Sequence, residues 1–403
     1  MTNSIYLFQR ALRIDDNLGL IQCLKESTNV YPVFCVDPRQ ATPDKNKYMS
    51  PFALGFMLQS LDDLQLQLKK VGSSLSILYG EPQIILKEFI EKYDIQCIYI
   101  NRDYTPFAKT RAEELKLLTS VKEVDDYLLI TPGNILNKSG VPYQVYTLFM
   151  KHFEKIKNQI LTPTNIKKNQ WSKLKKIGMD NSKPLNVLKK NSKYSIDYSP
   201  AGRTEALKRL INLNSSAANY DKCRDYLLYK TTNLSAYIKF GCISIREAWR
   251  AFDKIPGESG TMLKRQLIWR EFYYHIYNTY PEKLEWGKDI DEVKLDKDAP
   301  DIVKACYNQL DTTGYLHNRG RMILAHYLMN HKKHYWKSCD KLYARRLVDY
   351  DPIVNSGNHL WILKQPKFKW LKPETQYKKF DSICPKKSGD NTTIDLSYTK
   401  KYK

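Results

Sequence analysis

Ser4-Ile5-Tyr6-Leu7-Phe8 and, further on, Val30-Tyr31-Pro32-Val33-Phe34-Cys35-Val36 are short apolar runs flanked by polar turns, and their reading decides the first half of the fold. Runs of this length are too short for a buried helix and read as strands. Three more stand at residues 74–79, 97–101 and 127–130, and between them residues 18–25, 51–71, 82–93 and 110–118 repeat apolar side chains at helical spacing. Strands that alternate with helices must be joined by crossovers, so the pattern predicts an α/β domain over residues 1–135: a doubly wound parallel sheet with helices on both faces. In such sheets ligands sit beyond the carboxyl ends of the strands, where Phe8-Gln9-Arg10 and Asn101-Arg102-Asp103 fall. The glycine-rich dinucleotide fingerprint is not found in these turns.

Past residue 135 the alternation stops. Residues 136–203 read as an interdomain linker, and Ile166-Lys167-Lys168-Asn169 and Leu188-Lys189-Lys190-Asn191-Ser192 give its later part the composition of a surface connection. From residue 204 the patterns are helical nearly throughout, at 204–213, 220–229, 245–252, 262–280, 299–310, 317–331 and 341–349, which predicts an all-α second domain over 204–381. Residues 382–403 read as a frayed polar tail. A chain of 403 residues is long enough for two cores.

The formal charge of +22 favours a polyanionic partner, because lysines and arginines that meet phosphates release condensed counterions. Nucleic acid is the first expectation; a solvated basic surface is the plainer alternative. Eight cysteines stand singly, without the paired spacing of a zinc or iron-sulfur site, and read as reduced thiols with no metal. No run approaches the length of a membrane span, and Met1-Thr2-Asn3-Ser4 is unlike a signal peptide, so an intracellular protein, cytoplasmic or nuclear and away from membranes, is expected.

Chemistry concentrates between residues 317 and 361. In His317-Asn318-Arg319-Gly320-Arg321-Met322 the helical period puts Asn318, Arg321 and Met322 on one face: an amide, a fixed cation and a soft apolar group. Asp349-Tyr350-Asp351-Pro352-Ile353-Val354-Asn355 then supplies two carboxylates, one a possible partner for Arg321, and a second amide. Together they suit a pocket for a flat, polar ligand.

Thr231-Thr232-Asn233-Leu234-Ser235 with Ile238-Lys239-Phe240-Gly241-Cys242-Ile243-Ser244, Gln266-Leu267-Ile268-Trp269-Arg270-Glu271-Phe272-Tyr273, the 317–361 cluster and Pro373-Glu374-Thr375-Gln376-Tyr377 resemble, in order, the DNA photolyase and cryptochrome family. Phe8-Gln9-Arg10-Ala11-Leu12-Arg13 and Lys138-Ser139-Gly140-Val141-Pro142-Tyr143 match its first domain, so the resemblance runs nearly end to end. The His-Asn-Arg-Gly-Arg-Met variant is most similar to the class I cyclobutane pyrimidine dimer photolyases.

That resemblance implies light-driven repair of ultraviolet-damaged DNA by a monomer that holds FAD in its helical domain. Thr231, Thr232, Asn233, Leu234 and Ser235, with Tyr220, match the stretch at the FAD pyrophosphate, and hydroxyls at a helix start suit an anion. An ordinary helix cap explains the same run more plainly. Arg321 and Asp349 match an ion pair against the flavin ring, Tyr350 and Asp351 the stretch along it, and Asn355 the residue facing flavin N5. On the DNA side, a dimer flipped out of the duplex would meet Trp269 and Trp361 as aromatic walls, Arg224, Arg270 and Gln376 at phosphate or base edges, and Tyr273, Asn318 and Met322 nearby. Taken singly, each of these is as readily a core or surface residue.

Two replacements stand out among the residues that the resemblance makes catalytic. Gln266 takes the place of a glutamate that bonds the dimer in class I enzymes, an exchange also seen in (6-4) photolyases and animal cryptochromes. His359 takes the place of the tryptophan nearest the flavin in the electron-transfer chain, whose middle member survives as Trp336; Trp286 is the only indole near the distal position. A second, antenna chromophore such as a folate or a deazaflavin is left open. A cryptochrome-like photosensor and a non-catalytic nucleic-acid-binding homologue are the alternative functions.

Overall fold

The computed structural model describes residues 2–285, 290–364, 373–381, 384 and 396–403; Trp286 lies outside them. Five strands, β1 Asn3–Phe8, β2 Asn29–Val36, β3 Ser76–Tyr79, β4 Cys97–Asn101 and β5 Ser120–Val124, form one parallel sheet in the order β3-β2-β1-β4-β5. Along β1 the two-residue period sends Tyr6 and Phe8 into one core and Ile5 and Leu7 into another, so both faces are apolar because both are covered by helices. The strand order reverses between β1 and β4, which opens a crevice at their carboxyl ends.

The expected strand at 127–130 is a correction: the fifth strand is β5, Ser-Val-Lys-Glu-Val, a half-exposed edge whose charges masked it. Leu128, Leu129 and Ile130 are buried for another reason. They pack where the sheet domain meets the helical one, and the Leu129 and Ile130 N–H groups donate to Glu271 Oε2 at 2.9 and 3.1 Å. The same junction holds a buried ion network: Arg13 Nη2 lies 2.6 Å and Arg246 Nη2 2.7 Å from the two oxygens of Asp126, and Arg246 Nε lies 3.1 Å from Asp16. Gly241, at φ +62°, faces the backbone of Ala11 so closely that any side chain would collide with it.

Three further expectations are revised. Within the stretch read as a linker, helices Tyr146–Ile156 and Ser182–Lys190 bury Phe149, Phe153 and Leu188, and the second of them packs against the helix Pro51–Lys70. The polar tail carries a helix, Ser397–Tyr402, docked on Asp301–Thr313. Tyr398 is fully buried there with its hydroxyl donating to Gln309 at 2.7 Å, and Asp381 accepts the Tyr398 and Thr399 N–H groups. Finally, Cys223 and Cys384 are disulfide-bonded, and the other six cysteines are free.

In the helical domain, Ser244 and Glu247 close a capping box on Ile245–Asp253. Glu258–Thr279, Asn318–His326, Trp336–Ala344 and Pro352–Leu363 follow as the helices that shape the site. The pattern expected as one helix over 317–331 widens into a π turn at Tyr327–His331. Among the described residues no helix is long and apolar enough to cross a membrane.

Candidate functional site

A cavity of about 560 Å³ opens among these helices. Its walls draw together most of the residues singled out in the sequence. Thr231, Thr232, Leu234 and Ser235 come from the turn that opens the short helix Ser235–Lys239, and Tyr220 and Arg224 from a neighbouring turn. Glu258–Thr279 contributes Gln266, Trp269, Arg270 and Tyr273, whose three- and four-residue spacing puts them on one face. Asn318, Arg321 and Met322 line the cavity together with Asp349, Asp351, Asn355, His359 and Trp361.

Four of the named residues stand outside its lining. Asn233 turns the chain at φ +46°, a conformation that asparagine tolerates, and accepts from the Thr231 hydroxyl at 3.3 Å. Tyr350 points to Asp340 and lines a different cavity, while Trp336 and Gln376 are buried in the neighbouring helical packing.

Charge is fixed tightly. Arg321 Nη2 lies 2.9 Å from both oxygens of Asp349, and its Nε donates to the Leu316 carbonyl at 2.8 Å. Asp351 caps the helix Pro352–Leu363 through the Ile353 and Val354 N–H groups, and its other oxygen accepts from Tyr274 at 2.6 Å and Tyr127 at 3.0 Å. Burial pushes the Asp351 carboxyl up, but Arg10 and Arg270 outweigh it and hold the group below its usual range. Arg270 lies over the rings of Tyr127 and Tyr274, 4.1 and 5.1 Å from their centroids, and contacts Glu271 at 3.3 Å. Its buried Nη2 has no hydrogen-bond partner among the described residues.

Trp269 and Trp361 meet edge to face, 6.3 Å apart at 74°. Tyr146 stacks on Trp269 at 3.6 Å and 3°, so one indole face is already covered. Gln266 is exposed, its amide donating to the Met262 carbonyl at 3.3 Å.

Several neighbours escaped the sequence reading. Tyr146 sits in the stretch read as linker, where only the amphipathic period of residues 146–156 could have signalled it. Asp340, with no exposed surface, anchors Asn355 and His359 from behind; one carboxylate on a helix carries no mark of that. Lys239 donates to the Val348 carbonyl at 3.0 Å, and burial, helped by Arg10, lowers its ammonium to about 8 despite Asp349 and Asp351. It also lines a second cavity of about 500 Å³ at the carboxyl ends of β1, β2 and β4, with Phe8, Gln9, Arg10 and Asp103. That is the edge expected from the sheet topology.

Known proteins share this architecture. Residues 4–167 match the family model for DNA photolyase, and residues 262–384 that for the FAD binding domain of DNA photolyase. A deoxyribodipyrimidine photo-lyase of Synechococcus sp. is 28% identical over 94% of this chain and 86% of its own length. Cryptochrome-1 of Erithacus rubecula is 25% identical over 99% of this chain and 69% of its own. The crystal structure of an archaeal photolyase from Sulfolobus tokodaii with two FAD molecules superposes with a TM-score of 0.80 at 28% identity, covering 100% of this chain and 90% of that one.

Proposed function

The chain belongs to the DNA photolyase and cryptochrome family, and from that membership we propose that it repairs cyclobutane pyrimidine dimers in DNA under light with FAD as cofactor. One observation carries the reading: a single cavity gathers a run of hydroxyls at a helix start, a clamped guanidinium and two indoles. The donor set fits FAD. Thr231, Thr232, Ser235 and Arg224 are the candidates for its pyrophosphate, and the Arg321–Asp349 pair, Asp351 and Asn355 for its ring system. When bound and reduced, FAD supplies a photoexcitable electron donor.

The chain's own part is placement. Arg321 is held from two sides, by Asp349 and by the Leu316 carbonyl, so it meets a ligand without reorganising. Trp269 and Trp361 offer apolar surface to a flipped-out pyrimidine dimer, and Asn318 and Met322 line the same cavity. Gln266, at the exposed rim, offers a neutral amide where a carboxylate would repel phosphates. Net charge of +22 draws the DNA backbone, and we propose that the protein works as a monomer. The second cavity is the candidate seat of an antenna chromophore; the second FAD of the archaeal relative adds a flavin to folate and deazaflavin as identities for chromophore extraction to decide.

The test is loss of dimers from ultraviolet-treated DNA under blue light with prereduced protein. Light-independent dimer levels would sink the reading. A cryptochrome-like photosensor is the second reading, favoured by Gln266 and by the cryptochrome relatives, and blue-light-dependent partner binding without preference for damaged DNA would establish it.

A further inference from the structure

A third cavity, of about 460 Å³, shares no described lining residue with the candidate site and only Asn46 and Met49 with the second cavity. Its walls come from distant parts of the chain: the segment 43–52 and Lys193, then Asp311, Lys341, Arg345 and Arg346 of the helical domain. The Ser50 hydroxyl donates to the Arg346 carbonyl at 2.9 Å and the Lys193 N–H to the Pro51 carbonyl at 2.9 Å, so the fold itself ties these walls together. Met49 and Phe52, both buried, supply apolar lining. The Phe52 ring packs so closely on Gly314 that any side chain there would collide with it.

Charge sets this cavity apart. Lys47, Lys193, Lys341, Arg345 and Arg346 line it, against Asp311 as the one acidic lining residue among those described. Glu292 adds a second carboxylate, bonded to Arg346 and 2.9 Å from Arg345 Nη1, and the cations still outnumber the acids. Two of the cations are fixed: Arg346 by Asp311 at 2.7 Å and the Tyr307 hydroxyl at 3.1 Å, and the buried Lys341 by the Ile290 carbonyl at 2.6 Å. Lys193 and Arg345 are exposed, and Lys193 Nζ lies 5.9 Å from the Phe52 ring centroid. Gathering like charges in a concave site costs free energy, because low-dielectric walls concentrate their field, and an anion bound among them relieves it.

We propose that this cavity binds an organic polyphosphate, its linked phosphates held by Lys193, Arg345 and the fixed cations and its apolar part resting on Phe52 and Met49. The volume falls within the range of small-molecule sites, about 300–1,000 Å³. A single phosphate would leave most of the cations unanswered. A wholly inorganic chain would leave the apolar lining unused, and a DNA duplex cannot enter a space of this size. The site is independent of the repair reaction proposed above.

Calorimetric titration of the purified protein with ATP, inorganic tripolyphosphate and adenosine, in the absence of divalent cations, tests the assignment. ATP is expected to bind more tightly than tripolyphosphate and at least tenfold more tightly than adenosine, with an affinity that falls as salt rises. Lys193→Met and Arg345→Met, both at exposed positions, should each weaken ATP about tenfold, the loss of one charge-assisted hydrogen bond. Lys193→Gln replaces the first if it fails to fold. Arg224→Met, in the candidate site, should leave ATP affinity within about twofold of wild type. Absence of ATP binding, tripolyphosphate or adenosine equal to ATP, unchanged affinity in both cavity variants, or loss in Arg224→Met overturns the proposal. So does a duplex oligonucleotide that binds more tightly than ATP and loses that affinity in the same two cavity variants, which would assign the cavity to nucleic acid instead.

Discussion

Arg321 and Asp349 form a two-point contact, one guanidinium nitrogen 2.9 Å from each carboxylate oxygen, and the carboxylate side chain is only 5% exposed. Removing the cation alone strands that charge. Arg321→Ala is therefore expected to destabilise the fold by about 3 kcal/mol. Arg321→Met combined with Asp349→Leu should be milder than Arg321→Ala, because no uncompensated charge remains. Urea unfolding checks the order of the two, and FAD stoichiometry after purification should fall in both.

Asp126 ties the two domains together through Arg13 and Arg246. Burial raises its carboxyl, but the two guanidinium groups prevail and hold it below the usual 3.8. A depressed folded value means that the stabilisation is complete above the unfolded pKa and disappears as pH falls through the folded one. Asp126→Asn should thus cost about 3–5 kcal/mol at neutral pH, with the gap to wild type closing in strong acid. Denaturant unfolding of both proteins across that range is the measurement.

Lys239 is shifted in the same direction, but at the basic end of the scale. Its folded value of about 8 lies under the ordinary 10.5, so the unfolded chain binds more protons between them. Stability should rise with pH across that window, and Lys239→Met should lack this rise. Paired unfolding curves at pH 7.5 and 10.5, taken for wild type and variant, isolate the lysine from the other groups that titrate there. Parallel behaviour of the two proteins would contradict the assignment.

The disulfide makes a count. Without reductant, the unfolded chain should show six reactive thiols, and with reductant all eight. Because Cys223 and Cys384 are 161 residues apart, opening the bond releases a long loop, and Cys384→Ser should lower stability by up to roughly 5 kcal/mol. Thiol titration and urea unfolding settle both parts.

How much of this is legible in the sequence depends on whether a residue's neighbours lie nearby along the chain. β1 reads directly, since a strand covered on both faces is a continuous apolar run. β5 does not, because its charges suit a half-exposed edge, and 127–130 imitates a strand because a buried domain junction is as apolar as a sheet. The face shared by Asn318, Arg321 and Met322 follows from helical period alone. Asp340, Tyr146 and the Cys223–Cys384 bond depend on segments brought together by the tertiary fold, and no local period marks them. The tail misleads for a related reason: Tyr398 is buried by Gln309 and Asp381, which its own polar surroundings do not reveal.

Lys239 belongs to the walls of both large cavities. A single titratable ammonium therefore borders two spaces in which ligands could bind. A ligand that favoured the ammonium in one cavity would strengthen the hold of the other on an anionic occupant, and linkage would make the effect equal in both directions. Two chromophores placed there would communicate through an acid–base equilibrium as well as through light, with the pH of the medium setting how strongly each senses the other.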